Sequence, residues 1–426
     1  MAREVKTFTT TFAGRELTVE TGRTSELTNG SCWVRYGETV VMANVTASAK
    51  PREGVDFFPL SVDYEEKLYA VGKIPGSFLK REGRPTEKAT LTSRMIDRPI
   101  RPMFPKDMRN DVSVVVTVLS TDIDNSPEIA GFIAAAIAIE ISDIPFREPI
   151  AAVSVGLVDG EIILNPITNQ RAKSDLDLTV AGSATKIVMI EAGANEVDNE
   201  TMLKAIAAGH EEIKKMVAFI ADIKAQIGKP KFAFESKEVP HDLLEAVLDE
   251  FGDQFKYALD TDDKNVRDAA MLPIMDAIAE EHPELNAADL DLISYKLQKK
   301  VVRTWLLEEG KRVDGRGINE IRPLAAEVGV LPRVHGSGLF TRGQTQALTI
   351  CTLGSTKDAQ IMDDLSDTPL KRYIHHYNMP PYSTGEARAP RSPGRREIGH
   401  GNLAERALIP VLPSMEEVPY TIRTVS

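Results

Sequence analysis

The chain has 426 residues, 42% hydrophobic and 27% charged, the balance of a water-soluble globular protein with room for two or three domains. No apolar run approaches the ~18–20 residues of a membrane-spanning helix, and the start, Met1-Ala2-Arg3-Glu4-Val5, has neither a signal-peptide core nor an Arg-rich transit pattern. A cytoplasmic location with no membrane partner is therefore expected.

Residues 5–20 alternate in strand fashion around Ala13-Gly14 and predict a hairpin. Residues 112–119 are a β-branched run with polar breaks at Ser113 and Thr117, a strand. Residues 127–141 are apolar on nearly all sides and follow Asn125-Ser126 with Pro127 in the first turn, which predicts a buried helix. Residues 151–164 fold back at Asp159-Gly160, and 176–191 fold back at Gly182-Ser183. Asp198-Asn199 caps a helix running to about Ile227, where Gly228-Lys229-Pro230 stops it. From 238 to 310 strand signals vanish, and Leu243, Leu244, Val247, Leu248 and Phe251, then Leu290, Ile293, Leu297 and Val301, take up helical spacing. Residues 311–317 are turn-rich. The fold class is mixed α/β (α+β) layers with hairpins and packed helices.

A pattern recurs along this order. Gly30-Ser31 leads through Trp33 and Val34 to Gly37-Glu38-Thr39 and the run Val40-Val41-Met42-Ala43. Gly336-Ser337 leads through Leu339 and Phe340 to Gly343-Gln344-Thr345 and Ala347-Leu348-Thr349-Ile350, an offset of 306. Arg98-Pro99-Ile100-Arg101-Pro102-Met103-Phe104-Pro105 meets Arg406-Ala407-Leu408-Ile409-Pro410-Val411-Leu412-Pro413 at an offset of 308. Shared spacing as well as composition predicts a duplicated domain. The first copy is expected over 1–230, an all-helical linker over 238–310, and a shorter second copy over 311–426, so the chain reads as a fragment of a larger protein. Cys32 and Cys351 do not occupy equivalent places in the repeat, and buried thiols are expected rather than a disulfide or metal pair.

The net charge of −12 is unevenly spread. Residues 73–109 hold ten Lys/Arg against four acids and 371–396 hold six against one, so the rest of the chain carries −23. Two basic zones on an acidic body predict a focused anion site. In the first, Phe78-Leu79-Lys80-Arg81 lies in a Gly/Pro-bracketed loop over 74–85, where apolar groups beside cations suit base stacking and phosphate neutralisation on single-stranded nucleic acid. The structural alternative has Phe78 tucked into the core. In the second, Arg388, Arg391, Arg395, Arg396 and His400 stand ahead of a helix expected over 401–409; guanidinium forks suit a phosphate, with His400 as hydrogen-bond or proton donor. A basic surface turn is the alternative. There is no Walker-type loop, no Cys-x-x-Cys and no His-Glu-x-x-His, and seven histidines are too scattered for a metal centre.

The segments 74–85, 92–105, 329–346 and 395–401 together resemble the bacterial polynucleotide phosphorylase family, a likeness that runs end to end. The resemblance implies two ribonuclease PH-like domains joined by a helical segment, assembled as a cytoplasmic homotrimer. It implies 3′-to-5′ phosphorolysis of single-stranded RNA in mRNA degradation, with inorganic phosphate as co-substrate, nucleoside diphosphates as products and untemplated polymerisation as the reverse reaction. Arg395, Arg396 and His400 match positions lining the phosphate and RNA 3′ end. Phe78, Leu79, Lys80 and Arg81 match a channel loop that is commonly Phe-Phe-Arg-Arg, so Leu79 and Lys80 depart from it. The implied Mg2+ (or Mn2+) carboxylates would lie beyond Ser426, which leaves no metal site in this chain. At the comparable first-copy stretch only Asp177 remains, with Arg171 and Thr179 at the other two places, so that copy reads as a retired site. Other RNA-degradation enzymes are implied as partners. The competing reading is a non-catalytic RNA-threading subunit of an exosome-like ring.

Overall fold

A computed structural model describes residues 4–55, 57–236, 238–261, 263–362, 364–365 and 370–426. Contacts divide the chain into two compact units, one of Met1–Glu235, Glu327–Leu339 and Ala347–Ser426, the other of Ser236–Ala326 and Phe340–Gln346. The first begins with β1 (Lys6–Phe12), β2 (Arg15–Thr21), β3 (Gly30–Tyr36), β4 (Thr39–Pro51) and β5 (Leu60–Glu65), then α1 (Glu87–Ile100) and β6 (Asn110–Ser120). These strands make one sheet in the order β1-β2-β3-β4-β6-β5, with β5 parallel to β6 and the remaining pairs antiparallel.

Period-two alternation sets the inner face of this sheet: Cys32, Val34 and Tyr36 of β3 and Val41, Ala43 and Val45 of β4 are all buried. Against them lies α2 (Pro127–Ile141), buried at almost every position. Gly30 permits the approach, because a Cβ there would strike the Ala138 carbonyl oxygen. The Cys32 thiol donates to the Ala134 carbonyl at 3.3 Å, and burial pushes it up to about 12, so it is an inert thiol.

A second sheet, ordered β10-β9-β7-β8, comes from β7 (Ala151–Val158), β8 (Glu161–Leu164), β9 (Leu176–Gly182) and β10 (Ile187–Ala194), with the short α3 (Thr168–Arg171) between β8 and β9. The 29-residue α4 (Asn199–Ile227) packs on it, capped by Asp198, whose carboxylate accepts from the Thr201 N–H at 2.9 Å. Just after α4, Lys231 donates to the carbonyls of Ile139, Glu140 and Ser142, capping the C-terminal end of α2. Burial lowers its ammonium to about 8, still charged at neutral pH.

The helical unit contains α5 (His241–Leu259), α6 (Lys264–Glu281) and α7 (Ala287–Thr304) around Val247, Phe255, Ile278, Ile293 and Leu297. Periodicity singles out α5 and α7; α6 carries Pro273 inside it, which blurs its signature. The chain continues through β11 (Leu324–Val328), β12 (Gly336–Arg342), β13 (Thr345–Gly354), the two-residue strands β14 (Gln360–Ile361) and β15 (Leu370–Lys371), β16 (Tyr373–His376), α8 (Arg395–Leu408) and β17 (Thr421–Val425).

Strand topology repeats the first copy. The sheet order β11-β12-β13-β17-β16 reproduces β2-β3-β4-β6-β5, including the parallel pairing of its last two strands. Turn glycines Gly37 and Gly343 both sit at φ +59°. Helices α1 and α8 start 308 residues apart, as do the 3-10 turns that follow them, Arg101–Met103 and Ile409–Val411.

Candidate phosphate and RNA site

Two parts of the first unit carry the predicted side chains. One is α8, which packs on α1. The helix starts at Arg395, six residues before the expected 401, so Arg395, Arg396 and His400 belong to the helix and do not precede it. Its start is fixed by Glu397, whose Oε2 accepts from the Gly394 N–H at 3.0 Å. Gly399 and Gly401 lie inside α8 and serve its neighbours: the Arg94 guanidinium of α1 occupies the place a Gly399 Cβ would take, and the His375 carbonyl stands 3.0 Å from a Gly401 Cβ position.

The three α8 candidates part company. Arg395 donates to the Val62 carbonyl and the Asp63 carboxylate of β5. Arg396 is exposed and, with Arg94, makes a positive neighbourhood for His400. Burial first, then Arg396 and Arg94, push the His400 imidazole below its ordinary value, so it is neutral at pH 7. Its ring lies 5.3 Å from that of Tyr377. Arg94 is itself lowered, chiefly by burial and then by Arg98. Arg94 and Arg396 thus form a cationic pair, with His400 as a neutral hydrogen-bonding group beside it, that can receive a phosphate. Arg94 was not singled out in the sequence; its i, i+4 relation to Arg98 on one helix face was the available signal.

Beside this cluster Arg98 donates to Glu191 Oε2 at 2.6 Å and Arg406 to Glu191 Oε1 at 3.0 Å. Arg406 also engages the Asp177 carboxylate at 2.9 Å. The single carboxylate kept at the first copy's comparable stretch is thereby neutralised by a guanidinium. Arg171 is turned to the Pro166 and Ile123 carbonyls. Asp177 and its neighbours do not fit a divalent ion, and among the described residues no group of three or more His, Cys, Asp or Glu is assembled for one.

The other part is the 74–85 loop, between β5 and α1. Phe78 is 98% exposed and Leu79 is 79% exposed, so the core placement of Phe78 is overturned. The tip is shaped locally: the Ser77 hydroxyl donates to the Arg81 carbonyl at 3.1 Å, the Lys80 N–H donates to the Ser77 carbonyl at 2.9 Å, and Lys80 adopts φ +50°. Farther along, Glu82 accepts from the Leu68 N–H at 3.1 Å, tying the loop down beside β5. Two apolar side chains and two cations are displayed together at the surface.

A family model described as "3′ exoribonuclease family, domain 1" matches residues 13–145 and 320–426, both halves of the repeat. The chain belongs to the 3′ exoribonuclease family. Domain 2 of this exoribonuclease family matches 148–212, on the β7–β10 sheet, and the RNA binding domain of polyribonucleotide nucleotidyltransferase matches 242–317, on α5 to α7. Similar relatives include a polyribonucleotide nucleotidyltransferase from Ruminiclostridium cellulolyticum, 58% identical over 99% of this chain and 60% of that protein, and one from Heliobacterium modesticaldum, 53% identical with the same coverage. The chain spans about 60% of the length of these curated relatives. Among solved structures it is similar to rice (Oryza sativa) Rrp46, at 14% identity and a TM-score of 0.40, over 53% of this chain and 96% of that one. No helix among the described residues is long and apolar enough to cross a membrane.

Proposed function

We propose that this exoribonuclease-family chain supplies part of the working surface of a polyribonucleotide nucleotidyltransferase, which shortens single-stranded RNA from its 3′ end by phosphorolysis. The convergence of Arg94, Arg396 and His400 where α8 meets α1 carries the reading. In the reaction a phosphate oxygen attacks the terminal phosphorus, the P–O3′ bond breaks, and a nucleoside diphosphate leaves while the new RNA end takes a proton at O3′. Such a step needs charge neutralisation and in-line placement more than a covalent partner. Arg396 and Arg94 neutralise the entering phosphate, and neutral His400 offers an N–H to its oxygen. Arg395, held by Asp63, sets the angle of the helix and stands ready to exchange that carboxylate for phosphate. Phe78, Leu79, Lys80 and Arg81 stack bases and hold the backbone ahead of the reacting end.

The proposed activity would draw on Mg2+ or Mn2+ to offset charge on the reacting phosphates. The described carboxylates do not fit it, and the residue roles above do not depend on it. A cytoplasmic homotrimer that works with other RNA-degradation enzymes completes the reading. The test is release of ADP from poly(A) by the purified full-length protein, with and without phosphate. Release only in the presence of phosphate is expected; phosphate-independent release overturns phosphorolysis, and RNA retention without any release favours the threading-subunit reading.

A further inference from the structure

Acids and bases are segregated within the helical unit. Helices α5 and α6 carry nine Asp/Glu against three Lys/Arg, whereas residues 292–307, on α7 and the turn that follows it, hold Lys296, Lys299, Lys300 and Arg303 and no acid. The inner face of α7 buries Ile293, Leu297 and Val301. On the face turned away from these, Tyr295, Lys299 and Arg303 follow one another at i, i+4 and i+8, with the half-buried Lys296 one step round and the other three exposed. This stripe runs about 12 Å along the helix axis. Lys300 is neutralised by Glu245 of α5 at 2.9 Å, but Lys296, Lys299 and Arg303 hold no ion pair among the described residues. The Lys299 Nζ lies 5.9 Å from the centre of the Tyr295 ring, which is itself 62% exposed. The helix dipole favours a cation in the last turn, which accounts for Arg303 and not for Lys296 or Lys299, one to two turns earlier.

An exposed ring set among three unpaired cations, in a unit whose other helices are acidic, suits a polyanion with flat groups spaced along it: phosphates for the cations, a base for the ring. We propose that this face of α7 binds single-stranded RNA, Tyr295 stacking a base while Lys296, Lys299 and Arg303 neutralise successive phosphates. An acidic protein surface would use the cations and leave the ring idle, and a duplex offers no free base to stack. None of these residues belongs to the unit that carries the 74–85 loop and Arg396. The inference rests on the single-stranded RNA substrate of the proposed function and adds the surface by which the helical unit holds it.

Poly(A) binding by the purified protein, measured in phosphate-free buffer over a range of KCl concentrations, tests it. Lys296→Gln, Lys299→Gln and Arg303→Gln together are expected to weaken binding at least about tenfold at low salt. The slope of log affinity against log salt should fall by about 2, or about 0.7 for each lost phosphate contact. Tyr295→Ala is expected to weaken binding about fivefold or more with the slope unchanged, and Tyr295→Phe to keep the parent's affinity, as stacking requires. Lys204→Gln, Lys214→Gln and Lys256→Gln together remove the same net charge from exposed, ion-paired lysines elsewhere and are expected to change neither quantity. All the substituted side chains reach solvent, so each variant should keep the parent's Tm, which separates lost binding from misfolding. Affinity and slope unchanged in the stripe variant, or lowered equally in the matched control, overturn the proposal. So does an unaltered affinity in Tyr295→Ala, which would leave the cations to an acidic protein. Failure of phosphorolysis reads differently: phosphate-independent ADP release overturns that reading while the stripe's binding stands, whereas phosphate-dependent release with unchanged poly(A) binding in the stripe variant overturns the stripe alone.

Discussion

Arg395 and Arg396 are adjacent in the chain, yet their surroundings differ, and their substitutions should differ in kind. Arg396→Ala removes an exposed cation from the phosphate cluster and is expected to raise the KM for phosphate about tenfold or more, with little change in Tm. Arg395→Ala instead breaks the contact with Asp63 and is expected to cost roughly 0.5–1 kcal/mol in urea unfolding, because the pair is half exposed. A Gly399→Ala methyl would displace Arg94, a flexible side chain, so Tm should hold while phosphate affinity falls; unchanged phosphate kinetics would remove Arg94 from the site. His375 is a pH probe of the second copy. It is buried among Tyr373, Thr424 and Ser426, and burial, with His376 beside it, lowers its imidazole. Above pH 6.5 both folded and unfolded forms are neutral. As pH falls through 6.5 the unfolded chain takes the proton first, so stability should drop, and His375→Gln should flatten that slope in unfolding measured from pH 7 to 5. At this scale the cations were legible as composition. Which of them converge was not, because Arg94 reaches His400 only through a helix contact formed some three hundred residues along the chain.

Among elements, long periodic segments were the most legible. The buried run 127–141 and the capped helix from Asp198 declare themselves because burial on all sides and a side-chain cap leave direct traces in residue choice. The start of α8 did not, since its glycines serve neighbours rather than the helix. The same glycine logic gives a paired prediction for the duplicated hairpins. Gly30→Ala drives a methyl into the α2 backbone at Ala138 and is expected to destabilise by about 1–3 kcal/mol. Its counterpart Gly336→Ala meets only the Cys351 Cβ at 3.3 Å and should be nearly neutral in the 426-residue chain. Equal costs at both positions, by urea unfolding, would show that the two hairpins are packed alike after all.

For the whole molecule, the repeat seen at offsets of 306 and 308 became a repeat of strand order, parallel edge pairing and turn dihedral, so the duplication was readable well before any contact was known. Association was not readable, because subunit contacts leave no periodic trace; three copies per particle are expected by sedimentation of the full-length protein, and a monomer would remove the ring from the proposal. The twin arginines Arg98 and Arg406, equivalent under the repeat, close on the one carboxylate of Glu191. One acid shared between two matched bases links the halves of the duplication, with Asp177 as a second acid on the Arg406 side. With Glu191→Gln, Arg98 loses its acid and Arg406 keeps Asp177 alone, so added salt should offset part of the destabilisation by screening the repulsion left among Arg94, Arg98 and Arg406.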